Sequence, residues 1–111
     1  MAIPHAQPGQ AVEVRPLGPA LAGTSTHALF KSRDLEVMRL VLRGGQSLPP
    51  HKVAGEITIH CLEGTIDVGI DGRTVSLRAG EPTYLRGGAV HDVRARTDAS
   101  ALVTIALAGA A

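Results

Sequence analysis

Aromatic residues are almost missing from this chain, which has one Phe, one Tyr and no Trp among its 111 residues. That shortage removes the stacking platforms on which bases and sugar rings are held, and it requires a core built from Val, Ile, Leu and Ala. An excess of one charge is missing too. Eleven Lys and Arg stand against ten Asp and Glu, giving a formal charge of +1 with the basic residues scattered rather than clustered. A nucleic-acid binder carries a basic patch or stripe, so neither DNA nor RNA is expected as a partner. Cys61 is the only cysteine. It excludes an intramolecular disulfide and the stapled secreted scaffolds that depend on one, and a reducing, cytoplasmic setting is the expectation. The first ten residues lack the positive start and apolar stretch of a secretory signal, and the apolar tail from Ala101 to Ala111 is too short to span a bilayer. No membrane association is expected.

What is present is a regular alternation of short aliphatic runs and turn residues. A chain of this length supports one core, because two halves would each bury too little apolar surface against the entropy of ordering. Residues 1–24 carry Pro4, Pro8, Pro16 and Pro19 with several glycines, a composition that predicts an arm with at most a short strand near Val12 to Arg15. Residues 25–111 are predicted to form the barrel. From Ala28 onward the aliphatic runs are divided by turn clusters at Arg43-Gly44-Gly45, Pro49-Pro50, Glu63-Gly64, Asp71-Gly72, Ala79-Gly80 and Gly87-Gly88. Strands at such spacing mean an all-β sandwich or barrel, and no helical stripe or internal repeat interrupts the pattern. Asp71-Gly72 suits a two-residue type I′ turn and pairs Ile70 with Arg73, Val68 with Val75 and Ile66 with Leu77. The run Leu35 to Leu42 is apolar on both parities, so its outer side needs a cover, either the arm or a second subunit; a homodimer is expected. Gly45, Gly64 and Gly72 are expected at turns where Ala is strained if φ is positive.

Two segments carry a resemblance to a known family. Gly45, five residues, His51, and then Leu62-Glu63-Gly64 at the close resemble the first sequence motif of the cupins. Gly80, Arg86-Gly87-Gly88 and His91 resemble the second, and the Asp71-Gly72 hairpin sits between the two motifs as it does in that family. The resemblance covers about Leu35 to Leu107 and points to the small single-domain, RmlC-like cupins. It implies a double-stranded β-helix, the jelly-roll barrel, and a divalent metal held by three histidines and a carboxylate. The chain departs from that pattern. Val53 stands at the second histidine position, Ile57 at the glutamate position, Arg86 at the motif's proline and Ala95 at its final asparagine. Glu56 neighbours the glutamate position, but strand side chains alternate, so it points away if Ile57 points in. Of the family's metal-ligand positions the degenerate set keeps His51 and His91; no cofactor is expected, with a divalent transition metal as the alternative.

By parity, His51, Val53, Ile57, Ile59, Cys61 and His91 should line the interior as an apolar ligand pocket with two imidazoles and a thiol. The bland alternative for the two histidines is a hydrogen bond to each other, to backbone or to water. His60 has the opposite parity and is expected outside, His5 and His27 face solvent, and His5 from the arm is the candidate for completing a metal shell. Cys61 reads as a small core residue, because a nucleophilic thiol needs a nearby cation. His91 and Asp92 cannot form a dyad, being neighbours on one strand. Tyr84 is placed near the barrel mouth. Three functions stay open: a metal-free small-molecule binder, a metal-dependent enzyme of dioxygenase, isomerase or decarboxylase type on a small acid or sugar derivative, and a structural or partner-binding barrel.

Overall fold

A computed structural model describes residues 5–107, so both ends of the chain, including the end of the apolar tail, lie outside the described residues. Nine strands follow a short 3₁₀ helix at Gly18–Gly23. They are β1 (His27–Lys31), β2 (Leu35–Leu42), β3 (Ser47–His51), β4 (Ile57–Glu63), β5 (Thr65–Ile70), β6 (Arg73–Arg78), β7 (Pro82–Leu85), β8 (His91–Ala95) and β9 (Ala99–Ala106). They form two antiparallel sheets, ordered β1-β2-β9-β4-β7 and β3-β8-β5-β6. Sequence neighbours are often separated between or within these sheets, which is the arrangement of a rolled barrel rather than a meander.

The β5–β6 hairpin follows the predicted register, with Ile66 opposite Leu77, Val68 opposite Val75 and Ile70 opposite Arg73. Its turn has φ of 51° at Asp71 and 77° at Gly72, the two positive values that a type I′ turn needs. Ile66, Val68 and Leu77 join Leu40, Leu42, Ile57, Ile59, Cys61, Leu85 and Val93 in one core between the sheets. Aliphatic residues and Cys61 fill it without an aromatic ring, as the shortage of aromatics requires.

The arm departs from expectation in two ways. Val12 to Arg15 is not a strand, and a 3₁₀ helix with Pro19 in its first turn appears instead. The reason is that side chains of the large sheet, not another strand, satisfy the arm's backbone from Arg15 to Gly18. Arg39 on β2 donates to the Arg15 carbonyl, and the Glu63 carboxylate accepts from the amides of Leu17 and Gly18 at 2.9 and 3.1 Å. The Pro49-Pro50 pair is also not a break between strands. It lies within β3, which bulges between Leu48 and His51. Proline is tolerated there because β3 is the edge of its sheet and the missing N–H leaves no ladder bond unmade.

Candidate ligand-binding site

The register of β3 on β8 sets His51 directly opposite His91. Cross-strand neighbours stand about 5 Å apart, and the two imidazoles accordingly meet with ring centroids 4.4 Å apart at an interplanar angle of 54°. His91 is buried; His51 is exposed on its outer side and closes the rim. Each ring is fixed by its own strand: Nδ1 of His51 donates to the Pro49 carbonyl at 3.0 Å, and Nδ1 of His91 to the Ala89 carbonyl at 3.1 Å. A carbonyl can only accept, so the proton of each neutral ring sits on Nδ1 and Nε2 is left as an acceptor. Of the alternatives open for these histidines, backbone bonding is what the structure holds.

Behind the pair lies a cavity of about 110 Å³. Met38 and Leu40 of β2, Val103 and Ile105 of β9 and Ile57 and Ile59 of β4 line it from the large sheet, and Val93 of β8 lines it from the small one. Leu48 and the loop residue Val53 complete the lining. Val53 is carried over the cavity by a tight backbone contact: the Gly88 amide donates to its carbonyl at 2.8 Å, and a side chain at Gly87 would overlap the Ala54 carbonyl oxygen. Glycine at 87 is thus what lets the second motif's loop approach the first.

Five of the six residues expected at the pocket, His51, Val53, Ile57, Ile59 and His91, surround this one cavity, and Cys61 does not. Cys61 follows the same parity but lies further along β4, where its Sγ contacts the carbonyls of Glu63 and Gly64 at 3.5 and 3.4 Å. Burial pushes its thiol pKa up, with the nearby Glu81 and Glu63 charges adding to the rise against a hydrogen bond at Glu63. A thiol so placed is a core group and not a nucleophile. His60 is half-buried on the other parity and Glu56 is exposed, outside the cavity. His5 is also absent from the lining. Tyr84 corrects an expectation, since it is 62% exposed, pairs with Thr58 across β7 and β4, and reaches no part of the cavity.

For the divalent metal implied by the resemblance the described residues supply an incomplete donor set. Among the described residues no group of three or more His, Cys, Asp or Glu side chains is close enough to share an ion, and apolar Val53 and Ile57 stand in the wall. Two imidazoles fall short of the three protein ligands of an open catalytic site.

One polar residue escaped the reading of the sequence. Arg39 is only 4% exposed, on the outer face of β2 beside Leu102 of β9. Its guanidinium meets the Ser100 hydroxyl at 3.2 Å and the Glu63 carboxylate at 3.4 Å, while Nε has no partner among the described residues. Burial alone would raise the pKa of Glu63. The Leu17 amide, the Ser100 hydroxyl, the Gly18 amide and the Arg39 charge outweigh that and hold it below the ordinary carboxylate value. The available signal was an Arg set between Val37 and Val41 on one face of a mostly apolar strand.

Two curved antiparallel sheets enclosing an apolar cavity, with one imidazole from each motif at its rim, define a jelly-roll barrel of the cupin type. The chain belongs to the Cupin domain family, whose model matches residues 38–107. An RmlC-like cupin from Desulfovibrio desulfuricans is 30% identical, with a TM-score of 0.68, covering 74% of this chain and 80% of its own. A cupin superfamily protein from Desulfitobacterium hafniense shares the fold at a TM-score of 0.75 and 16% identity, over 92% of this chain and 99% of its own. A protein of unknown function from Streptococcus pyogenes does so at 0.73 and 18%, over 96% and 94%. Among curated proteins none matches the sequence. No helix among the described residues is long and apolar enough to cross a membrane.

Proposed function

We infer that this cupin binds a small molecule in the cavity behind His51 and His91, with the two imidazoles as polar anchors and aliphatic side chains as walls. The observation that carries the reading is the void itself: an aliphatic core leaves about 110 Å³ open beside two imidazoles, the only polar side chains among the described residues that line it. A barrel whose role were purely structural would gain dispersion energy by filling that space. Homodimer formation belongs to the same proposal, supported by exposed Leu35 and Tyr84 on strands of the large sheet.

The test is ligand-dependent stabilisation. A molecule that binds only the folded barrel raises the stability by about 2.7 kcal/mol at a hundred times its Kd, and an Ile59→Phe variant, with the void filled, should lose that response. Thermal melts over a library of small molecules measure both. A response undiminished in the filled variant would place binding elsewhere and overturn the reading.

One observation favours a second reading, a metal-dependent enzyme: imidazoles with Nδ1 tied to a carbonyl and Nε2 free are oriented as metal ligands are. Elemental analysis of untagged protein decides between the two. About one transition-metal equivalent per chain, lost when His51→Ala and His91→Ala are combined, would replace the first reading by the second.

A further inference from the structure

The size and polarity of the cavity narrow what it accepts. Its volume of about 110 Å³ is well under the roughly 300–1,000 Å³ of pockets for drug-sized ligands. An apolar cavity of about 150 Å³ holds one benzene, so the occupant here is no larger than a single small ring or a compact branched chain, and part of a ring projects past His51. Among the described residues no carboxylate, ammonium or guanidinium lines the space. The buried Arg39 faces the opposite side of β2, where the arm covers it, and Lys52 and Arg86 are exposed in loops. The polar groups that remain are two Nε2 atoms whose rings already spend their N–H on carbonyl oxygens. An entering carboxylate would meet two lone pairs and no cation, and would lose its hydration without replacement. A purely apolar molecule would fit the walls but offer no donor to either ring in place of the water it displaces.

We propose that the cavity selects a compact neutral molecule with an apolar body and one O–H or N–H donor, a phenol or small branched alcohol by class, whose donor meets Nε2 of the histidine pair. The inference rests on the small-molecule reading above and adds the charge and hydrogen-bonding sense of the ligand. Burying the body against Ile57, Ile59 and Val103 supplies affinity, and the single donor supplies selectivity.

Methyl NMR titration of the wild-type protein tests it, with phenol, toluene and benzoate as probes and xenon as a reporter of the void, at about pH 8, above the ordinary imidazole range. The expected result is saturable movement of the Val53, Ile57 and Ile59 methyls by phenol, roughly three- to tenfold tighter than by toluene, with no movement by benzoate at the same concentration. In a His91→Phe variant that still takes up xenon, the preference for phenol over toluene should fall toward unity. Equal affinities for phenol and toluene in the wild type would overturn the donor requirement and leave the apolar pocket standing. Tighter binding of benzoate would overturn the neutrality. If xenon and all three probes leave the cavity methyls unmoved, the small-molecule reading fails along with the inference drawn from it.

Discussion

Gly64 and Gly72 both sit at positive φ, 74° and 77°, yet they differ in what a side chain would meet. Around Gly72 an added Cβ finds nothing within 4 Å, whereas at Gly64 it would overlap the Asp98 carbonyl oxygen and crowd the Thr97 hydroxyl at 2.8 Å. Gly72→Ala is therefore expected to lose about 1 kcal/mol from backbone strain alone. Gly64→Ala adds a collision with rigid backbone and should lose about 2–4 kcal/mol. Denaturant midpoints at constant m-value measure the difference, and equal losses would contradict the packing at Gly64. Both glycines were legible because each closes a strand in a pattern of aliphatic runs. His51 and His91 were legible through motif spacing. Their mutual contact was not, since it depends on a bulge in β3 that shifts the register between Leu48 and His51. Arg39 was hidden for a different reason: a strand's own residues do not reveal which segment covers them, and a buried cation is readable only once its counter-charge, 24 residues away at Glu63, is placed beside it.

The arm shows how one carboxylate organises a segment with no regular hydrogen-bond ladder. Glu63 accepts from two successive arm amides and from Ser100, and faces Arg39 from below. Removing the carboxylate in Glu63→Ala frees the Leu17 and Gly18 amides and leaves a nearly buried guanidinium without its counter-ion. A loss on the order of 3 kcal/mol follows. Hydrogen exchange locates the effect: those two amides should exchange at least about tenfold faster, while Val41, whose amide is held by the Thr26 hydroxyl at 2.9 Å, should lose only what the global destabilisation dictates. Uniform acceleration along the chain would mean that Glu63 supports the barrel as a whole and not the arm. Over residues 5–17 the proline-rich composition correctly argued against helix and sheet. It did not announce the short strand at Val12 to Arg15 as mistaken, because alternating Val12 and Val14 imitate a strand when the partner that would pair with them is lacking. Pro49-Pro50 misled in the opposite sense, reading as punctuation where an edge strand absorbs it.

At the scale of the whole molecule, the strand boundaries could be read from turns, whereas the assignment of strands to two sheets is made by contacts far apart in sequence, such as β2 on β9, and carries no local signature. One consequence of the two-sheet design is that each outer face holds a carboxylate that folding favours in its charged form. On the large sheet it is Glu63. On the small sheet it is Asp67, held below its usual value by the Ser76 hydroxyl first and by Arg96 next, with burial opposing and Arg94 adding a smaller attraction. Depressed folded values mean that both groups stabilise the native state above the ordinary carboxylate range and that this contribution is lost as the pH falls through their folded values. Below about pH 4 the unfolded chain binds protons that the folded barrel resists, so stability falls with acidity by up to about 1.4 kcal/mol per pH unit for each group. Chemical denaturation between about pH 3 and pH 7 should therefore show an acid limb that flattens in Glu63→Gln combined with Asp67→Asn, even though the double variant is less stable near neutrality. The two substitutions should flatten the limb additively, because the carboxylates lie on opposite faces with the aliphatic core between them and share no partner. An acid limb as steep in the double variant as in the wild type would assign the proton uptake to other carboxylates and remove Glu63 and Asp67 from the account.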